Sequence, residues 1–246
     1  SRDYVGQKPL FYTKNNNYYL FSSQLNGIMV DDTSSKKISN KNLKKYFTYS
    51  FVPSPNTIFE NIFQLEPGEN IIIKSQNLNI DKKKYWDLTK GPDYNSFFSK
   101  INIENFKEEF NDVIDQHSIS DKIPAILLSG GIDSYLITNY LVKSTKNYSS
   151  FTLGFENKSY DEAQYVKKIE KKVNKKIFYA NESDFITSFK EISKVLNEPI
   201  GDSSIIPTYI IHKKIKPFSN VSIGGDGGDE NFFGYITFDA FYLALK

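Results

Sequence analysis

The chain has 246 residues, 39% of them hydrophobic, and 31 basic side chains against 29 acidic ones, enough for one large or two ordinary domains with buried cores. Arg2 is the only arginine, which argues against a guanidinium-rich nucleic-acid surface, and the lysines at 82–84 and at Lys171, Lys172, Lys175 and Lys176 read as solvated faces. The absence of cysteine excludes disulfides, thiolate metal sites and a cysteine nucleophile within these residues. No apolar run nears the roughly 20 residues of a bilayer span and no signal-peptide order is seen, so a cytoplasmic protein with neither membrane nor nucleic-acid partners is expected.

In chain order, apolar and aromatic runs at 10–12, 18–22 and 70–74, divided by Asn, Asp and Gly, predict strands. One helix is expected among them, capped by Ser39 or Asn40, with Leu43, Tyr46 and Phe47 on one face and Pro53 and Pro55 ending it. This is an α+β or sandwich-like layer without a catalytic cluster. Residues 89–102, with Gly91, Pro92, Asp93, Asn95 and Ser96, read as a linker. Ile103, Phe106, Phe110, Val113 and Ile114 then recur at helical spacing.

From there strands at 123–128, 150–155, 176–180 and 220–223 alternate with helices opening at Ser134 and spanning 161–173, 185–196 and 204–216. That alternation predicts an α/β domain with right-handed crossovers, a parallel sheet and ligands at the strands' carboxyl ends. His117 and His212 lie far apart without cysteine partners, so zinc is not expected, and His212 reads as a helix-surface residue.

Two loops carry the chemistry. Ser129-Gly130-Gly131-Ile132-Asp133-Ser134 follows a buried strand, and its bare amides and the ensuing helix N-terminus point at one place, which makes an anion site. A Walker loop is excluded because no lysine occurs between Lys122 and Lys143. Asp133 stands there instead, and a carboxylate beside a phosphate implies a bridging Mg²⁺. The alternative is an ordinary glycine turn. Gly224-Gly225-Asp226-Gly227-Gly228-Asp229-Glu230 follows a later strand; its glycines allow close approach of a ligand, and its three carboxylates repel unless a cation or proton intervenes. An acidic hairpin or calcium loop is the bland alternative, and the EF-hand spacing is not met.

Ser129–Ser134 resembles the S-G-G-x-D-S signature of the PP-loop ATP pyrophosphatases. Arg2-Asp3, Gly6 and Lys8-Pro9-Leu10, then Phe51-Val52-Pro53-Ser54-Pro55, Leu65-Glu66-Pro67-Gly68, Tyr85-Trp86-Asp87-Leu88 and the 224–235 segment follow the order seen in glutamine-hydrolysing asparagine synthetases. The resemblance runs over essentially the whole chain. It implies the C-terminal part of a class II, N-terminal-nucleophile glutaminase domain at 1–88, the linker at 89–102, and a doubly wound PP-loop synthetase domain at 103–246, incomplete at its C-terminus. In that family the glutaminase nucleophile is an N-terminal cysteine; with no thiol present, glutamine hydrolysis by this segment is excluded, and either the chain is a piece of a longer one or the domain is vestigial.

The resemblance further implies an enzyme that uses ATP and Mg²⁺ to adenylate the side-chain carboxylate of aspartate and passes ammonia from glutamine to it. Ser129, Gly130, Gly131 and Ser134 would hold pyrophosphate, Leu128 and Gly225 border the nucleotide, Asp133 and Asp229 bind Mg²⁺, and Asp226 take the ammonia proton in a closed site. Glu230 and Tyr235 fall on the acceptor side. Asp161 and Glu162, with Tyr160, resemble a family segment near acceptor and nucleotide, as does 198–204. Alternatives are a relative amidating another carboxylate, such as a sugar acid or a lactam precursor, and a non-catalytic nucleotide-binding module. A homodimer is compatible with either.

Overall fold

A computed structural model describes the chain except for residues 32–35, 75, 91–101, 145, 160, 170–172 and 245–246. Most of the expected linker, Tyr160, Lys171 and Lys172 therefore lie outside the described residues. The structure divides into two units, Ser1–Lys100 with Lys194–Asp202, and Ile101–Ser193 with Ser203–Lys246. Residues 194–202, which read in sequence as part of the second domain, thus fold with the first.

In the first unit β1 (Phe11–Lys14) lies between β2 (Tyr19–Ser22) and β3 (Ile62–Gln64), antiparallel to both, while β4 (Glu69–Lys74) and β5 (Asn79–Lys84) form a separate hairpin. Neither β3 nor β5 is announced by an apolar run. β5 is asparagine, aspartate and lysine over most of its length, and what makes it a strand is six residues paired in register with β4. Lys82, Lys83 and Lys84 are exposed as expected.

A short helix, α1 (Leu25–Met29), adds to the single one expected, because Leu25 and Ile28 are one helical turn apart and both buried. The expected helix is α2 (Asn40–Tyr49). Ser39 Oγ accepts from the Asn42 N–H at 3.4 Å to start it, and Ser50 in the left-handed conformation ends it. Leu43 and Tyr46 pack on the core of Phe11, Leu25, Ile28, Val52, Ile58, Phe59 and Ile62, whereas Phe47 is exposed. Arg2 is a structural cation: its guanidinium donates to the carbonyls of Leu65 at 2.6 Å, Gly6 at 2.7 Å and Lys8 at 3.0 Å.

The second unit is built on a four-stranded, wholly parallel sheet of order β8-β7-β6-β9, from β6 (Ala125–Leu127), β7 (Ser150–Phe155), β8 (Lys175–Ala180) and β9 (Ser222–Ile223). Alternate residues of β6 serve opposite faces. Ile126 packs with Ile114 of α3 (Ile103–His117) and Leu141 of α4 (Ile132–Leu141). Ala125 packs with Phe151 and with Ile211 and Ile215 of α7 (Ile205–Ile215). Helices thus cover both faces, as buried parallel strands require.

Two helices depart from expectation. The one expected at 161–173 is only α5 (Ala163–Val166) among the described residues, because the Lys175 ammonium takes the carbonyls of Val166 at 3.3 Å and Ile169 at 2.6 Å, so the turn ends there. Lys175 is accordingly not a solvated residue, and the Lys176 ammonium sits 3.6 Å from the centre of the Phe218 ring. The helix expected from Phe185 starts earlier, as α6 (Glu182–Ile192), since Asn181 and Asp184 form a reciprocal capping box. The short α8 (Gly228–Phe232) and α9 (Ile236–Ala244) close the chain. His117 and His212 are exposed on α3 and α7, and no group of three His, Cys, Asp or Glu side chains suited to a metal occurs among the described residues.

Candidate functional site

The chain leaves β6 toward β7 and β8 on one side, then returns to lay β9 on the other. The crevice beyond the carboxyl ends of β6 and β9 is therefore a topological switch point, the place where open α/β sheets receive ligands. Both glycine-bearing loops emerge there.

In the first loop the Ser129 N–H donates to Ser134 Oγ at 3.2 Å, the Gly131 N–H donates to Ser129 Oγ at 3.2 Å, and the two hydroxyls lie 2.8 Å apart. α4 begins at Ile132 with Gly131 in the N-cap position, two residues before the expected start at Ser134. Ser134 is consequently inside the first turn and buried, its hydroxyl folded back within reach of the Gly131 and Ser129 carbonyls. Asp133 occupies the first turn, where the helix dipole favours a carboxylate. Leu128 is tied to β7 by its backbone, its carbonyl accepting from the Thr152 hydroxyl at 2.6 Å and its N–H donating to the Phe151 carbonyl at 2.9 Å, and its side chain is core with Val166 and Val173.

The second loop lies against the first. A methyl group on Gly228 would stand 2.5 Å from the Asp133 carboxylate, and one on Gly225 would stand 2.9 Å from Asp133 Cβ and 3.0 Å from the Ser134 nitrogen. Only glycine allows this approach. Gly227, at φ 89°, takes the left-handed conformation that turns the chain into α8, and Asn231 Nδ2 donates to its carbonyl at 2.6 Å. Asp229 is set against Gly234 in the same way.

Asp226 is exposed beside Gly224, not enclosed as expected, because the glycines flanking it bring no side chains to cover it. Tyr235 donates its hydroxyl proton to Glu230 Oε1 at 2.8 Å. That bond, with the negative field of Asp229 and Asp226 added, holds the phenol above its usual pKa.

Ser129, Gly131, Asp133, Ser134, Gly225 and the residue before Asp229 are thus brought to one place, and Glu230 is joined to Tyr235. Glu162, expected near acceptor and nucleotide but given no specific role by the sequence, joins them. Glu162 Oε2 accepts from the Gly130 N–H at 3.3 Å across 32 residues of chain. Its neighbour Asp161 is structural, its Oδ1 accepting from the N–H groups of Phe155 at 3.3 Å and Ala163 at 3.2 Å. The motif-like run at 160–162 was the only signal that could have pointed to Glu162.

The asparagine synthase family model matches residues 105–245, and the glutamine amidotransferase domain model matches residues 1–86. The chain is 36% identical over 244 residues to putative asparagine synthetase (glutamine-hydrolysing) 2 of Methanocaldococcus jannaschii, covering 96% of this chain and 47% of that protein. It is 28% identical over 240 residues to asparagine synthetase (glutamine-hydrolysing) 1 of Bacillus subtilis, covering 96% of this chain and 37% of the relative. The chain thus spans less than half the length of these relatives.

Proposed function

Because the chain belongs to the asparagine synthase family, we propose that its second unit is a PP-loop ligase site that activates the side-chain carboxylate of aspartate with ATP and amidates it with ammonia. The observation that carries this reading is the meeting of the two glycine loops at the β6/β9 switch point, with the Asp133 carboxylate against Gly228. The first unit belongs with a class II glutaminase of the N-terminal-nucleophile kind, and glutamine is the ammonia source in this reading.

The residues fit Mg²⁺. Asp133, in the first turn of α4, and Asp229, in the first turn of α8, offer hard oxygen donors, and among the described residues no group of three ligating side chains could hold a metal without help. Mg²⁺ characteristically takes one or two carboxylates and fills its shell with water and substrate phosphate oxygens. When bound, it offsets phosphate charge and assists the departure of pyrophosphate.

The chain's own groups do the rest. The amides of Ser129, Gly130 and Gly131 and the hydroxyls of Ser129 and Ser134 receive the pyrophosphate oxygens at a helix N-terminus. The backbone of Leu128 and Gly225 borders the nucleotide. A substrate carboxylate oxygen attacks the α-phosphorus, the bond to pyrophosphate breaks, and the acyl carbon acquires AMP as its leaving group. Ammonia then bonds to that carbon as the C–O bond to AMP breaks, and Asp226 accepts the surplus proton. Glu230 and Tyr235, joined to each other, orient the acceptor.

The test is ATP–pyrophosphate exchange with Mg²⁺, with and without aspartate, on the full chain beside Asp133→Ala. Exchange that needs aspartate and is lost in the variant is expected. Exchange only with another carboxylate would replace aspartate as the acceptor, and ATP binding without any exchange would favour a non-catalytic nucleotide module.

A further inference from the structure

Three successive amides line the first loop, and each already has an acceptor. Two of these acceptors are neutral hydroxyls, Ser134 Oγ for Ser129 and Ser129 Oγ for Gly131. Hydroxyls rotate and can donate to an incoming anion, so they yield at little cost. The third acceptor is different. The Gly130 N–H is held by the carboxylate of Glu162, which can only accept and which repels any phosphate approaching the same amide.

The backbone that delivers this carboxylate is fixed. On its C-terminal side, Ala163 and Val166 have no solvent exposure, and Val166 packs with Leu128 at the end of β6. On its N-terminal side, Asp161 is tied to the Phe155 and Ala163 amides. The first turn of α5 also lies directly on the loop: a methyl on Gly130 would stand 3.0 Å from Tyr165 Cδ2 and 3.5 Å from Glu162 Cβ. The Glu162 side chain is exposed, so it can swing away while its backbone stays.

From this we infer that Glu162 is a positioning residue that competes with pyrophosphate for the Gly130 amide, leaving the loop when the anion enters and returning as it departs. The inference rests on the proposed role of the loop as the pyrophosphate seat. It gives the loop a built-in means of releasing a product that three amides and a cation would otherwise hold tightly. If the carboxylate occupies the amide in about nine molecules of ten, the apparent Kd for pyrophosphate is roughly tenfold above the intrinsic value.

The test is calorimetric titration of inorganic pyrophosphate with Mg²⁺ into the full chain, Glu162→Ala, Glu162→Gln, Asp133→Ala, and Glu156→Gln as a control for net charge. About tenfold tighter binding is expected in Glu162→Ala, with Glu162→Gln between it and the parent, because the amide oxygen still accepts but no longer repels. Damage to the fold does not produce tighter binding. Parent-like affinity in both Glu162 variants, with binding still lost in Asp133→Ala, would overturn the inference and leave the loop reading standing. Equal tightening in Glu156→Gln would reduce the effect to net charge and also overturn it. No binding to the parent or to any variant would remove both readings.

Discussion

Replacing Gly225 with alanine places a methyl carbon 2.9 Å from Asp133 Cβ and 3.0 Å from the Ser134 nitrogen. The first of these is about 0.6–1 Å inside the ~3.5–4.0 Å optimum for two carbons. Neither atom is the tip of a flexible side chain. Both belong to the first turn of α4, which is anchored by buried Ser134 and Thr138 and by the Thr138 hydroxyl donating to the Ser134 carbonyl at 2.7 Å. The two loops must therefore separate.

Overpacking of this kind costs about 1–3 kcal/mol, which lowers the Tm of a unit of this size by roughly 3–10 °C. Displacing Asp133 by a fraction of an ångström to one ångström relative to the second loop is expected to cut pyrophosphate exchange by about 100-fold. Calorimetry and exchange on the same preparation measure both. Gly131→Ala is the comparison: a methyl there finds only the Ser129 hydroxyl, at 3.3 Å, so its stability should stay within about 0.5 kcal/mol of the parent. A Gly225→Ala protein with parental Tm and parental exchange would refute the contact between the loops and, with it, the geometry from which the proposed function is argued.

Two predictions concern the first unit, whose unfolding Trp86, the only tryptophan, reports by fluorescence. Glu198 is half-buried, and its Oε1 accepts from the Ile58 N–H at 2.5 Å; burial raises its pKa, against the lowering effect of that bond. A raised folded-state pKa means that this group's contribution is fully present below the unfolded value near 4.5 and is lost as pH rises through the folded value. Glu198→Gln keeps an acceptor and cannot ionise, so its denaturation midpoint should exceed the parent's at neutral pH and converge with it below about pH 4. A difference independent of pH would contradict this. Gly68→Ala meets a left-handed φ of 66° and the Trp86 carbonyl oxygen at 2.5 Å. The conformation alone costs about 1–2 kcal/mol, so urea unfolding should shift by more than that, and an unchanged midpoint would show that the turn is not built as described.

The residues of the candidate site were legible because they are local. A strand, two glycines and an aspartate opening a helix need only a dozen consecutive residues, and so does the Gly224–Glu230 cluster. The alternation of apolar runs likewise predicted the parallel sheet, since buried parallel strands are continuously hydrophobic. Asparagine- and lysine-rich β5 was not legible, because its partner strand supplies what its side chains do not. The true starts of α4 and α6 depended on capping geometry, set by Gly131 in one and by the Asn181–Asp184 box in the other.

Only tertiary structure decided which pieces meet. Strand order cannot be read from strand sequence, so the approach of Gly225 and Gly228 to Asp133 follows from β9 pairing with β6. The position of Glu162 on Gly130 follows from α5 packing under Leu128, and the assignment of Lys194–Asp202 to the first unit depends on contacts such as Gly201 N–H to the Ser50 carbonyl at 2.7 Å. These are hydrogen bonds and close approaches between residues far apart in the chain. Sequence supplies the groups that make them, and the packing of the sheet and its helices selects their partners.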